Sequence, residues 1–284
     1  VEADFLAAAV RIAIPLLFAA LGEMIAERGG VINLGIEGAM LCGALAAAVG
    51  AGLGGPWVGL GAGGLAGLGT ALVFAAVAIG ARADQIITGT AITLGAVGLT
   101  GALNRVAFGA EGVGLSLPTF GPVLMAQPAT SWIALSLVPV TWWFLFRTRS
   151  GLALRAVGEA PERARAMGVP VRRLQVMATL VGGALAGMGG ATLVLAQVGT
   201  FAERMTAGRG FIAIAIVVLG RWHPIGVLGA ALLFGAATAL QFGLQAVGLD
   251  VPYQLFLMFP YLLTLALLAG LVGRTRPPAS LGHS

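Results

Sequence analysis

Lysine is absent from this chain of 284 residues: all 16 of its basic side chains are arginine. Without lysine there is no Gly-x-x-x-x-Gly-Lys phosphate loop and no Schiff-base chemistry. Cys42 is the sole cysteine and lies in an apolar run, so no disulfide forms within the chain. His223 and His283 are far apart and suggest no metal cluster. Nor does the sequence offer a Ser/His or His/Asp constellation, so no catalytic residues are assigned. Charge is scarce: Asp, Glu, Lys and Arg make up 10% of the chain, too few to cover one soluble core of this length.

What is present is apolar and small. Hydrophobic residues reach 58%, mean hydropathy is +0.98, and 45 residues are glycine, about double ordinary usage. These values exclude a soluble enzyme, a disordered chain and a disulfide scaffold, and predict an all-α, polytopic transmembrane bundle forming one domain over 1–284. A net charge of +5 and a pI of 10.9 have no soluble basic domain to carry them. They read as arginine gathered on the cytoplasmic side, with membrane lipid and not nucleic acid as the surroundings. Val1–Arg11 is acidic before it is basic, which predicts no cleaved signal peptide.

A span needs about 20 apolar residues. Nine segments qualify: Phe5–Ile25, Gly38–Leu53, Trp57–Ala81, Ile86–Phe108, Ser131–Phe146, Leu174–Leu195, Met205–Gly220, Ile225–Val247 and Pro252–Val272. Three are short and leave room for broken or re-entrant helices. The densest basic loop, 147–173, holds seven arginines and is placed in the cytoplasm. Alternation then puts Arg28, Arg82, Arg221, Arg274 and Arg276 inside too, for an N-out, C-in topology. The segment 109–130 falls outside with Glu111 as its one charge, and the polar residues after Gly273 read as a frayed tail. Gly59, Gly63 and Gly67, and again Gly183 and Gly187, recur every four residues, which suits close helix packing or helices that slide in transport.

Four polar segments interrupt the apolar pattern. In the cytoplasmic loop, Pro161 suits a first helical position, Glu162 the first turn and Gly168 the position past the end. The implied helix is too short to stand alone, so it is either a docking element or a solvated loop. Gly29–Gly38 packs four glycines with Asn33 and Glu37 and reads as a helix break or an interfacial turn. Arg82 and Asp84 read as surface caps beside Gln85 and Thr88. The segment 197–210, with Phe201, Glu203 and Arg209, faces outward as a gate or a contact for a binding protein. Within the spans, Arg11 and Glu23 read as snorkelling near opposite ends of the first. No chain of buried carboxylates is expected, which counts against a stand-alone ion-coupled carrier or channel. Inward amides and hydroxyls, including Asn104, suit a neutral polar solute.

Three of these stretches resemble one family: Gly30-Val31-Ile32-Asn33-Leu34-Gly35-Ile36-Glu37-Gly38, the loop Gly151–Gly168, and Gly208-Arg209-Gly210-Phe211-Ile212-Ala213-Ile214-Ala215. Together they are similar to permease subunits of bacterial ABC importers for branched-chain amino acids, simple sugars and nucleosides, over about Leu6–Leu268. The Asn33 to Glu37 stretch is closer to the nucleoside type than to the sugar type. The resemblance implies a type II importer-like fold in the inner membrane with Arg155, Gly158, Glu159, Pro161, Ala164 and Gly168 coupling to an ATPase. Asn33, Glu37, Gln85, Thr88 and Asn104, polar residues at the break and within the spans, are expected beside the translocation pathway. The resemblance further implies a partner ATPase with two nucleotide sites holding ATP and Mg, a second, non-identical permease and an extracytoplasmic binding lipoprotein. This chain itself would then need no cofactor.

Overall fold

The computed structural model describes residues 2–109, 117–246, 258, 262 and 276–282. Its elements are almost entirely helical: α1 Glu2–Arg28, α2 Ile36–Gly54, α3 Pro56–Phe74 with a π-helical extension Ala75–Gly80, and α4 Gln85–Phe108. A short antiparallel hairpin (β1 Pro122–Leu124, β2 Gln127–Pro128) precedes α5 Ala129–Arg147, α6 Arg149–Glu159 and α7 Pro161–Ala166. The remainder is α8 Val171–Thr192 with a π-helical extension Leu193–Val198, α9 Arg209–Leu219 and α10 Pro224–Ala246.

Local chemistry places the boundaries. Asp84 caps α4 by accepting from the Ile87 N–H at 2.8 Å, and Thr148 caps α6 by accepting from the Gly151 N–H at 3.0 Å. Pro161 opens α7, and Gly168, at φ +82°, closes it with the left-handed turn that glycine adopts without strain.

Seven described helices are long and apolar enough to cross a bilayer: Phe5–Arg28, Ile36–Gly54, Pro56–Gly80, Gln85–Val106, Ala129–Arg147, Val171–Val198 and Pro224–Gln245. The expected span Met205–Gly220 is replaced by α9, whose 11 residues rise only ~16 Å. The expected span Pro252–Val272 lies, but for Met258 and Leu262, outside the described residues.

α1 is central. Phe18, Leu17, Leu21 and Met24 are fully enclosed, and α1 packs on α8 and α10 while α2 and α3 pack on α8. Large apolar side chains such as Leu65, Leu94 and Trp143 point outward, as a hydrocarbon solvent permits. Glycine fills the interior contacts, and the two ladders meet each other. A Cβ on Gly67 would lie 2.7 Å from the Gly187 Cα, and one on Gly63 would lie 2.9 Å from the Gly43 carbonyl oxygen. Backbone touches backbone here, which is the packing reading of the ladders.

The two ends of the bundle are distinct. At one end Arg28 donates to the Trp222 carbonyl (2.9 and 2.7 Å) and Arg172 to the Gly80 carbonyl (2.6 Å). At the other Arg11 donates to the Ala126 carbonyl (3.1 Å), and Trp57 meets Phe120 edge-on at 4.9 Å. Arg28, the α3–α4 turn, the α5–α8 connection and the α9–α10 turn thus share one end, the one that the arginine count assigns to the cytoplasm.

The expectation of a frayed tail is corrected. Ser280 is buried and donates from its N–H (2.9 Å) and its hydroxyl (2.7 Å) to the Gly158 carbonyl, and the Gly282 N–H donates to the Gly30 carbonyl (3.2 Å). Residues 276–282 are held because these two carbonyls lie where helices break and need donors.

The glycine contacts predict a sharp positional contrast. Gly67→Leu should abolish folding or lower the melting temperature of detergent-solubilised protein by more than 10 °C, in the order of a severe overpacking. Gly69→Leu on the same helix has open space around it and should melt within about 2 °C of the parent.

Candidate functional site

The site begins with the break between α1 and α2. Gly30, at φ +85°, turns the chain, and the following backbone groups leave the helical ladder. Side chains satisfy them: the Ile32 N–H donates to Gln85 Oε1 (2.8 Å), the Asn33 N–H to Glu23 Oε1 (2.8 Å), and the Gly35 N–H to Asn33 Oδ1 (3.0 Å). Thr93 donates its hydroxyl to the Leu34 carbonyl (3.1 Å). A break in a low-dielectric interior survives only with such partners. Thr88 is buried beside Gly89, where an added Cβ would stand 2.7 Å from the Gly35 nitrogen, so α4 presses directly on the break.

Glu37, one residue into α2, reaches the start of α9. Its Oε1 accepts from the Thr206 hydroxyl (2.6 Å) and the Gly208 N–H (2.9 Å), and its Oε2 accepts from the Gly210 N–H (2.6 Å). The Glu37 carboxylate therefore caps a helix from another segment of the chain. It satisfies N–H groups that the helix itself cannot pair, and places negative charge at the positive end of the α9 dipole. α9 rises only ~16 Å, about half of a ~30 Å hydrocarbon core, and its capped start is enclosed in the bundle, with Thr206 and Gly210 both buried. Strain accompanies the approach: Arg204 and Ala207 hold φ of +57° and +47°, ahead of Gly208 at +83°.

The other end of α9 is locked to α1. Glu27 Oε2 accepts from Trp222 Nε1, while Arg28 grips the carbonyl of the same tryptophan. His223 stacks at 5.3 Å from the Phe146 ring. Burial, then the Arg28 charge, hold its imidazole below the usual 6.5, so it stays neutral at pH 7.

The connection between α5 and α8 is two helices, not the single short one expected. α6 turns Leu154, Val157 and Gly158 inward and exposes Leu152 and Glu159. Gly158 sits on the backbone of Arg28 and Gly30, with an added Cβ 3.3 Å from the Gly30 nitrogen. The Arg155 guanidinium lies 4.8 Å from the Phe146 ring centre. Pro161 is half-buried and Gly168 exposed, whereas Ala164 is enclosed with Val157 and Val171.

Of the expected pathway residues, Asn33, Glu37, Gln85 and Thr88 gather at the break. Asn104 is buried but lies 19 residues further along α4, ~28 Å away. Phe201 is buried, Glu203 forms an exposed 3.4 Å pair with Arg105, and Arg209 donates to the Met205 carbonyl at 2.8 Å. Two expectations are corrected. Glu23 does not snorkel: it is 1% exposed and binds the Asn33 backbone. Buried carboxylates also exist, since Glu23, Glu27 and Glu37 are all enclosed. Each is engaged by donors of this chain, and among the described residues no group of acids, histidines and cysteines could hold a metal. Glu23 and Glu27, one helical turn apart inside a span, were a readable signal; Trp222, Thr206 and Ser280 carried none.

Residues 5–268 match the family described as branched-chain amino acid transport system / permease component. A Haloferax volcanii protein provisionally named as a glucose ABC transporter permease (TsgC13) is 39% identical, covering 96% of this chain and 93% of its own. The guanosine ABC transporter permease protein NupQ of Bacillus subtilis is 36% identical over 95% of this chain and 92% of its own. The nucleoside ABC transporter permease protein NupC of Lactococcus lactis is 33% identical over 94% and 92%. No solved structure matches.

The cap predicts graded losses at Glu37. Glu37→Ala strands the Gly208 and Gly210 N–H groups and should cost on the order of 3 kcal/mol, with Glu37→Gln losing about half as much because one acceptor oxygen remains. Hydrogen exchange at Gly210 should speed up in the same order, and unchanged protection in Glu37→Ala would refute the cap.

Proposed function

The chain belongs to the branched-chain amino acid transport system permease family, and from that premise we propose that it carries nucleosides inward as the membrane subunit of an ABC importer. It is an ABC transporter permease subunit and a multi-pass protein of the cytoplasmic membrane. The similarity to guanosine and nucleoside permeases along nearly the whole chain carries the substrate reading. The geometry at α9 supports a neutral solute. Helix N-termini at mid-membrane are natural binding points for a substrate carboxylate. Here Glu37 already occupies that position, so a free amino acid would bring a second negative charge to engaged donors.

Energy enters from outside this chain, which lacks the lysine of a phosphate loop. In the proposed cycle an ATPase subunit with two nucleotide sites binds ATP and Mg and receives α6 and α7 in a cleft. An extracytoplasmic lipoprotein delivers substrate, and a second, non-identical permease completes the pathway. Closure of the ATPase displaces α7 and α6. Gly158 passes that displacement to the end of α1 and to Gly30, and the break then shifts Glu37 and α9. Exposed Glu159 is suited to contact the ATPase. Ala164 faces inward and acts by packing α7 on α6 and α8.

A second reading has its own support: the permease named for glucose is also similar over almost the full length. A hexose and a ribose both present neutral hydroxyls, so the site chemistry accepts either. Uptake into proteoliposomes holding this chain with its partner subunits separates the two. ATP-dependent uptake of labelled guanosine or uridine is expected, glucose uptake alone would establish the second reading, and uptake by this chain without an ATPase would overturn both. Glu159→Arg should preserve assembly in the membrane and lower uptake about tenfold, with ATPase stimulation by substrate falling in parallel. Full uptake in that variant removes Glu159 from the coupling contact.

A further inference from the structure

At the cytoplasmic end, two adjoining cavities of ≈ 370 and ≈ 450 Å³ share Arg82, Arg165, Val171 and Arg172 as walls, and the second adds Arg173. The four arginines come from three places: the α3–α4 turn, α7 and the first turn of α8. Elsewhere on this face Arg28 is engaged by Trp222, Arg147 by the Trp142 ring and Arg155 by the Phe146 ring, while Arg149, Arg163 and Arg221 have no partner among the described residues but line neither cavity. In the cavity walls, the guanidinium groups of Arg82, Arg165 and Arg173 have no hydrogen bond, ion pair or ring contact among the described residues, and Arg172 has only the Gly80 carbonyl. Glu162 is the one acid lining the cavity; Asp84 stands nearby but already caps α4. Cations gathered around one concavity with so little counter-charge call for an anion.

We propose that this cavity binds the phosphate headgroup of an anionic lipid of the cytoplasmic leaflet. Its depth fits. The α3 span ends at Gly80 and the α8 span begins at Val171, so the arginines stand at the level where hydrocarbon gives way to headgroups. Below Arg82 the surface is apolar and open: Val73 and Val77 on α3 and Ile86 and Ile87 on α4 are all exposed. An acyl chain can lie along that strip while the phosphate meets the arginines. The α8 N-terminus, with unpaired N–H groups in its first turn, points its positive dipole end to the same place. A headgroup held here touches α7, α8 and the turn before α4 together, and so braces the connection that carries α6 and α7. This assignment concerns lipid and does not depend on which solute is carried.

Native mass spectrometry of the full chain in detergent, titrated with phosphatidylglycerol, phosphatidylcholine or inorganic phosphate, tests it. The expected result is selective retention of phosphatidylglycerol, weakening as salt rises. Arg82→Gln/Arg165→Gln/Arg173→Gln should bind it about fivefold more weakly per arginine removed. A charge-matched variant, Arg147→Gln/Arg149→Gln/Arg221→Gln, should bind like the parent. Equal loss in both triple variants, equal retention of phosphatidylcholine, or competition by millimolar inorganic phosphate overturns the proposal. So does unaltered retention in the triple variant combined with lost binding of the ATPase subunit, which would make this a protein-docking surface. If the triple variant does not fold, Arg82→Gln alone, whose exposed side chain has no partner to lose, should still show the fivefold drop.

Discussion

A backbone N–H enclosed among helices that face hydrocarbon has no water to turn to, and the start of α9 meets that constraint through one carboxylate. Glu37 takes three donors from Thr206, Gly208 and Gly210. With those donors satisfied, α9 can begin in the middle of the bundle instead of at its surface. The strained residues before it, the half-length helix and the Trp222 lock at its far end all follow from that placement. The break between α1 and α2 obeys the same rule, with Glu23, Gln85, Thr93 and Asn33 supplying what a continuous helix would have supplied itself.

These polar fixtures need helices that come close. Glycine allows it: α3, α8 and α2 meet backbone to backbone at Gly67, Gly187, Gly63 and Gly43. Close approach holds the break at a fixed distance from α4 and α9. It also explains why so much of the apolar bulk faces outward, since lipid tails solvate Leu and Trp as well as the core does.

The contacts run without interruption from the α5–α8 connection to the interior of the bundle. α7 packs on α6 through Ala164 and Val157, α6 rests on the end of α1 through Gly158, and Ser280 and Gly282 stitch that junction from the tail. From Gly30 the chain passes directly into the break and on to Glu37. In the proposed importer cycle this continuous series of contacts joins the helices that meet the ATPase to the capped start of α9.

Much of this was legible in the order of residues along the chain. Composition required a helical membrane protein, arginine spacing placed the same loops at one end, and the four-residue glycine spacing marked the faces that do pack. Asp84, Pro161 and Gly168 signalled helix ends by chemistry acting within one turn. The site was only half legible: Asn33, Glu37 and Gln85 stood out as polar residues at a glycine-rich break, but not what they bind. Glu37 and Gly210 are separated by 173 positions, and no local rule joins them. Hydropathy averages also took 205–220 for a span, because a window counts apolar residues without seeing that Thr206 and Gly208 are turned toward a carboxylate. Sequence alone thus determined the solvent and the points where helices stop, since these depend on side-chain type and near neighbours. Tertiary structure alone decided which buried donor meets which buried acceptor, because that pairing is a matter of position across the bundle.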